Sequence, residues 1–236
     1  MVAVPNPYVR GVLKDGGLQI QPANVDGETT FVGFSSAGTV GQTYSYGGPD
    51  VNLVRSQIGL GDGPNAVIQN LVESKGRITR FRKTLASTVG TVGTVVAVGG
   101  GPAVTLTLTP NVGANVILTI VTAGALGTST FRYSLDGGDT VSDVFATAAT
   151  FVLPHGVQAN FAAGAYVAGA TYSWTDVGPK MTSSNISDAM DDVIASPYIP
   201  RIVRIAGHAA DDAGLLTILT MLASKQLVAR ANGKFF

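Results

Sequence analysis

The stretch TSTFRYSLDGGDT, residues 128–140, constrains the fold of this chain more than any other. Phe131, Tyr133 and Leu135 alternate with polar residues, so an extended segment presents one apolar face and one polar face. The following Asp-Gly-Gly-Asp, at positions 136–139, supplies residues that adopt the positive φ angles of a tight reversal. The stretch therefore predicts a β-strand that runs into a hairpin.

This stretch lies in a block, residues 86–179, whose composition differs from the chain on either side. The block is rich in Thr, Val and Gly, has almost no charge, and shows no helical periodicity. Gly and Pro separate its short strands, a spacing that favours a small antiparallel sandwich or barrel. The strands predicted in the block cover residues 104–109, 115–122, 131–135, 150–153, 157–161 and 170–174. We therefore assign residues 87–179 to an inserted all-β domain.

The flanking segments predict a discontinuous α/β domain formed by residues 28–86 and 180–236, which makes the chain α+β or α/β overall. The pattern before the block indicates strands at 29–34, 51–56 and 77–82 and a helix at 65–74. The pattern after the block indicates a helix at 186–195 capped by residues 183–185, a strand at 199–206, and a longer helix capped by Asp211 or Asp212. The apolar residues of that longer helix repeat at helical spacing: Leu215, Leu216, Ile218, Leu219, Leu222, Leu227 and Val228.

The two ends of the chain predict contacts outside its own core. Residues 1–27 are rich in Pro and Gly and contain only short extended pieces, so they are either a free terminus or an arm that adds a strand to another subunit. The residues expected to make such a contact are Tyr8, Val9, Val12 and Leu13. Residues 234–236 look like the start of another strand, which indicates either a partial chain or a last strand that pairs elsewhere.

Composition narrows the possible functions. Hydrophobic residues make up 45% of the 236 residues and charged residues only 13%, and 15 basic residues balance 15 acidic ones. A neutral surface does not attract nucleic acid or anionic membranes over long range, and it does little to prevent self-association. With no Cys, disulfides and thiolate metal sites are excluded. The apolar segments at 112–126 and 213–223 are too interrupted or too short to span a bilayer, so membrane insertion is not expected.

Few residues are available for catalysis. His155 lies in a loop between predicted strands, and His208 follows a predicted strand, close to Asp211 and Asp212, where many α/β enzymes hold site residues. A loop histidine beside a helix cap is the favoured interpretation. The run GFSSAG, residues 33–38, has one residue too many for a nucleophile elbow.

The acidic residues of the inserted block favour a turn over a metal site. Asp136, Asp139 and Asp143 lack EF-hand spacing and a bidentate Glu, so turn chemistry explains them better than calcium binding. We expect no catalytic residue, no cofactor and no metal.

Two clusters of opposite charge predict contacts between copies of the chain. The basic cluster is Arg77, Arg80, Arg82 and Lys83, and the acidic cluster is Asp188, Asp191 and Asp192. Complementary clusters on separate elements are typical of surfaces that set the register between subunits. Reversing the charge of Arg80 and Arg82 is then expected to weaken assembly at low salt.

Several segments resemble contractile tail sheath proteins of bacteriophages. TSTFRYSLDGGDT and the later AGAYVAGATYSW look like a β-module of phage tail proteins. TTFVGFSSAG and IPRIVRIAGHAADDAGLLTILTMLASKQLVARANGKFF resemble parts of the sheath α/β region. The resemblance implies a structural virion protein that assembles helically with copies of itself around the tail tube, contacts tail tube and baseplate proteins, and contracts to drive the tube through the host envelope.

The same resemblance implies assembly in the host cytoplasm, lacing of subunits by residues 1–27, and projection of the β-module on the outer face of the sheath. Members of that family usually continue into further strands, a helix and a C-terminal arm beyond the point that matches Phe236. The sequence is also compatible with two alternative functions. One is another tail component, such as a baseplate, tube or adaptor protein; the other is an α/β enzyme or nucleotide binder with its site near His208.

Overall fold

The computed structural model describes residues 28–48, 51–73, 78–198, 200, 202–209 and 212–232. The strands in chain order are β1 (Thr29–Gly33), β2 (Thr43–Tyr46), β3 (Thr79–Lys83), β4 (Val96–Val98), β5 (Val104–Thr107), β6 (Ala114–Thr122), β7 (Gly124–Ala125), β8 (Thr130–Ser134), β9 (Phe145–Ala146), β10 (Thr150–Val152), β11 (Gln158–Phe161), β12 (Ala165–Tyr166), β13 (Thr171–Asp176), β14 (Lys180–Met181), β15 (Ile202–Ala206) and β16 (His208–Ala209). The helices are α1 (Val51–Ile58), α2 (Asp62–Glu73), α3 (Ser183–Ala195) and α4 (Asp212–Ala231). The described fold is therefore mixed α and β.

The α/β part is a three-layer body around a four-stranded sheet of order β15-β1-β3-β2. Strand β1 is parallel to both β15 and β3, and β2 is antiparallel to β3. Successive residues of β1 point to opposite faces, so Phe31 packs with α1 and α2 while Val32 packs with α3 and α4. Burial on both faces explains why the residues of β1, TTFVG, do not alternate between apolar and polar.

The predicted strand at 51–56 is wrong, because these residues form the first two turns of helix α1. Val54 and Ile58 are both fully buried and lie four residues apart, which places them on one face of a helix. Arg55 supports the helix end by donating from Nη1 to the carbonyl oxygen of Gly59 at 3.4 Å. Because helix α1 has only 8 residues, its sequence is too short to show helical spacing clearly.

The inserted residues form two antiparallel sheets that enclose a separate core. One sheet has the order β4-β13-β6-β8-β9 and the other β10-β11-β5, and a further pair joins β7 and β12. Phe131 lies at the centre of the core, with its ring 5.1 Å from Phe151 at nearly right angles and 5.0 Å from Phe161. This arrangement is that of a small sandwich. The predicted alternation at 104–109 ends early, because Leu108 has a φ of 64° and is exposed.

The two connections between body and inserted module are hydrogen-bonded to each other and form a stalk. The Ser87 amide donates to the carbonyl oxygen of Lys180 at 2.7 Å. Thr91 and Val177 exchange two amide-to-carbonyl bonds, each of 2.9 Å. The chain therefore enters and leaves the module at the same place. The domain limits given above stay a prediction.

Helix α3 begins earlier than the sequence pattern indicates. Its N-cap is Thr182, whose side chain accepts from the amide of Asn185 while the Asn185 side chain accepts from the Thr182 amide. This reciprocal capping box satisfies two amides at once, so the helix starts at Ser183 and not at Ile186. Of the helices that the structure describes, none combines the length and apolarity that a bilayer crossing requires.

Candidate functional site

The carboxyl ends of β1 and β15 form the crevice where α/β folds of this topology usually bind ligands. Helices α1 and α2, which come after β1 and β2 in the chain, pack on one face of the sheet, and α4, which comes after β15 and β16, packs on the other. A Cβ on Gly33 would lie 2.4 Å from the carbonyl oxygen of Ala206. A Cβ on Gly63 would lie 2.4 Å from Cε2 of Phe81 and 2.7 Å from the carbonyl oxygen of Phe34. Backbone and core side chains therefore fill the crevice.

The polar side chains beside this crevice are bonded to the backbone. The hydroxyl of Ser35 donates to the carbonyl oxygen of Ala37 at 3.0 Å, and the hydroxyl of Ser36 accepts from the Leu60 amide at 2.8 Å. Lys83 donates from Nζ to the carbonyl oxygens of Ala37 and Gly38, both at 3.0 Å, and burial lowers the pKa of its ammonium group. These side chains hold the loop after β1, and none is paired as nucleophile and base.

The two histidines occupy different parts of the fold. His208 starts β16 and pairs with Lys180 of β14, while its side chain and Asp211 lie outside the described part of the chain. His155 is buried in the inserted module, with Nε2 2.7 Å from Oδ2 of Asp176. The same carboxylate accepts from Nε1 of Trp174 at 2.9 Å and from the Gly93 amide at 3.2 Å.

The His155–Asp176 pair ties the module to its stalk and does not face a substrate. Their side chains are 4% and 0% exposed, so no solute reaches them in this structure. Because Gly93 enters the module and Asp176 leaves it, the carboxylate joins both connections and the loop that carries His155. No sequence pattern indicates this link, because the two residues lie 21 positions apart on segments that only the fold brings together.

The Asp-Gly-Gly-Asp turn is held by its own side chains. Asp136 accepts from the hydroxyl of Thr140 at 2.6 Å, from the Thr140 amide at 2.9 Å, and from the hydroxyl of Ser134 at 2.7 Å. These bonds, led by those from Thr140, lower the pKa of the Asp136 carboxyl group well below its usual range. Asp139 and Asp143 point to solvent. Among the described residues no group of three or more His, Asp or Glu side chains could hold a metal ion.

The basic and acidic clusters, which were predicted to contact each other between copies, also contact each other within one chain. Arg82 forms an ion pair with Asp192, and Asp191 bonds to Nζ of Lys225 at 2.5 Å. Arg80 forms an ion pair with Glu28, the residue that precedes β1.

The ring of Tyr198 also contacts this cluster, because the Arg80 guanidinium lies 4.1 Å from its centroid. Reversing the charges of Arg80 and Arg82 would therefore disturb the subunit itself as well as any assembly. The role of these residues between subunits stays a prediction, as does that of the exposed Asp188. All four predicted arm residues, together with one arginine of the basic cluster, lie outside the described residues: Tyr8, Val9, Val12, Leu13 and Arg77.

The outward face of α4 is a surface that sequence reasoning missed. Ile218, Met221 and Leu222 pack towards α3, but Leu216 and Leu227 are each 67% exposed. Helical spacing identified the helix but did not reveal that apolar residues lie on two opposite faces. A helix that is apolar all round usually packs against protein on both sides.

A shallow groove of about 440 Å³ lies on the solvent side of the five-stranded sheet. Its lining includes Thr94, Val96, Asn115, Ile117 and Ser173, and no residue of the lining titrates. Such a groove can contact another surface but offers no acid, base or charge for catalysis.

Comparisons with known proteins find solved structures of low similarity to this chain. The sequence matches no protein-family model and no curated protein. The crystal structure of a sheath tail protein from Listeria innocua aligns with a TM-score of 0.37 at 10% identity, over 83% of this chain and 43% of that chain. A sheath tail protein from Desulfitobacterium hafniense aligns with a TM-score of 0.37 at 18% identity, over 89% of this chain and 48% of that chain. The chain thus spans less than half the length of either, and similarity at this level establishes neither a shared fold nor a shared function.

Proposed function

We propose that the chain is a structural subunit of a phage-type contractile tail sheath. The observation that carries this proposal is the combination of a three-layer α/β body with an all-β module inserted through a hydrogen-bonded stalk. The segment TTFVGFSSAG, which resembles part of the sheath α/β region, forms β1 with its loop. The segment TSTFRYSLDGGDT, which resembles a β-module of phage tail proteins, forms the β8 hairpin of the module. The filled crevice at the sheet supports a building block better than an enzyme.

A contracting lattice needs subunits that rotate without deforming. The body and the module each have their own buried core, so each can move as a rigid unit. Links between such units must survive rotation, and backbone hydrogen bonds of an added strand meet that need. Strands β15 and β2 each have one neighbour in the described sheet, so each offers a free edge. We propose that residues 1–27 supply the added strand to a neighbouring subunit.

The proposed partners follow from this role. Copies of the same chain form helical rows, with tail tube protein inside and baseplate proteins at one end, and assembly takes place in the host cytoplasm before the tail joins the virion. The nearly uncharged module lies on the outer face of the sheath, where its groove and exposed valines are available to other proteins.

Sedimentation of the purified chain tests the role of residues 1–27. At low salt and rising concentration we expect the full chain to form fast-sedimenting polymers, and a variant that lacks residues 1–27 to remain small. Circular dichroism provides the control, because the shortened variant should keep its spectrum if the body and module still fold. Equal polymerisation of both forms would contradict arm-mediated lacing, and a full chain that stays small at every concentration would contradict self-assembly.

A further inference from the structure

The stalk that carries the inserted module is fixed to the body at one end. The Thr84 amide donates to the carbonyl oxygen of Gly33, the last residue of β1, at 2.9 Å. The hydroxyl of Thr84 donates to Sδ of Met181 at 3.0 Å, and Met181 is buried in the core that α3 and α4 cover. Strand β14, which contains Met181, also pairs with β16. Both connections are therefore held by the packed body at the point where they leave it.

Between the body and the module, the two connections form a short antiparallel ribbon. The carbonyl oxygen of Lys180 accepts from the amide and from the hydroxyl of Ser87, at 2.7 and 2.8 Å. The two bonds between Thr91 and Val177 continue the ribbon towards the module. Because a pair of strands is only marginally stable by itself, the stiffness of the ribbon depends on what packs against it.

A loop of the module, residues 110–113, supports the ribbon from the side. A Cβ on Gly90 would lie 2.1 Å from the carbonyl oxygen of Pro110, and a Cβ on Gly178 would lie 2.7 Å from the amide nitrogen of Gly113. The loop therefore contacts both strands of the ribbon, at two positions where glycine alone leaves room for it. These contacts are between backbone atoms, so no side-chain rotation can relieve them.

The same loop is joined to the buried carboxylate of Asp176. The Asn111 amide donates to the carbonyl oxygen of His155 at 2.8 Å, and Nε2 of His155 lies 2.7 Å from Oδ2 of Asp176. The carboxylate also accepts from the Gly93 amide on the other strand of the ribbon, at 3.2 Å. Moving the ribbon away from the module would leave this carboxylate without its donors, which is strongly unfavourable for a side chain that is 0% exposed.

We propose that the stalk is a rigid strut that holds the module in one orientation relative to the body, and that residues 110–113 and Asp176 make it rigid. Units with separate cores ordinarily move relative to each other unless their connection is firmly packed. Here the connection is packed at both of its ends, so the module turns with the body. The inference does not rest on the sheath proposal, because it concerns a single copy of the chain.

Distances between two spin labels on one chain test the strut. Val72→Cys on α2 and Val121→Cys on β6 place one label on each part, at residues that are 60% and 41% exposed, and the chain has no native Cys. A rigid strut predicts a single narrow distribution of distances. The reference is a pair of labels on the body alone, Val72→Cys with Leu216→Cys, whose distribution should be equally narrow. A broad or multiple distribution between body and module would overturn the proposal.

Gly90→Ala tests the support given by residues 110–113. The added Cβ requires the Pro110 carbonyl to move by about 1 Å before the two atoms reach ordinary contact, so the distribution between body and module should widen. The reference pair on the body should not change. Gly47→Ala is the control, because a Cβ there meets nothing within 4 Å. Circular dichroism shows whether each variant is folded.

Asp176→Asn tests the carboxylate, and it decides the matter if Gly90→Ala does not fold. The change keeps the size of the side chain but removes its charge and one acceptor oxygen, so the same distribution should widen. Asp139→Asn, at an exposed carboxylate of the module, should leave it narrow. A distribution that stays narrow in the folded variants Gly90→Ala and Asp176→Asn would overturn the role of residues 110–113 and Asp176.

Discussion

At the scale of single residues, glycines and hydrogen-bonded carboxylates determine whether this fold has space and unbonded polar groups for a ligand. Gly33 lets β1 approach β15 so closely that no space is left at the sheet crevice. Asp136 and Asp176 each accept several hydrogen bonds and fix, respectively, a turn and the stalk. Of the candidate polar residues that the structure describes, Ser35, Ser36, Asp136 and His155 thus have structural partners.

Gly33→Ala is expected to destabilise the body. Its Cβ would lie 2.4 Å from the carbonyl oxygen of Ala206, so the two parallel strands must separate. We expect the free energy of unfolding to fall by about 1–3 kcal/mol, measured by urea denaturation. Gly47→Ala is the control, because a Cβ there meets nothing within 4 Å. Equal stability of the two variants would mean that β1 and β15 are not packed as described.

Asp136 is expected to make the β8 hairpin sensitive to acid. Because hydrogen bonds from Thr140 and Ser134 hold its pKa below that of the unfolded chain, its contribution to stability is present above the unfolded value and is lost as pH falls through the folded one. Asp136→Ala should therefore lower the thermal midpoint at pH 7, and this difference should shrink in acid. Asp139→Ala, which alters an exposed carboxylate of the same turn, is the control. A difference that is independent of pH would contradict the assignment.

At the scale of elements, the inserted module has a hydrophobic core of its own. Its core shares no residue with the two cores of the body, and its entry and exit are joined by the bond from the Ser87 amide to Lys180. We expect a fragment of residues 86–181 to fold alone, with dispersed amide signals in NMR and a cooperative thermal transition. A fragment that shows neither would mean that the module depends on the body.

Some elements could be predicted from sequence patterns alone, and others could not. Alternation in residues 131–135 and helical spacing around Met190 identified β8 and α3, because each pattern spans enough residues to reveal its period. The segment at 51–56 was assigned to the wrong element because two helical turns are too short to show theirs. The outward leucines of α4 and the link between His155 and Asp176 could not be predicted, since both depend on which segments the fold brings together.

At the scale of the whole molecule, the architecture suits the proposed role of a building block. Two parts with separate cores, a stalk that joins them, sheet edges with no further strand among the described residues, and an apolar helix face all suit association better than catalysis. Because the net charge is zero, copies of the chain repel one another little and their surfaces can approach at ordinary ionic strength.

Negative-stain electron microscopy of the purified full chain tests whether it assembles as a sheath subunit. We expect helical tubes or rows with a regular axial repeat, which lengthen as the protein concentration rises. Closed rings of fixed copy number would favour a different tail component, such as an adaptor. Isolated particles of monomer or dimer size at every concentration would contradict the proposed role as a sheath subunit.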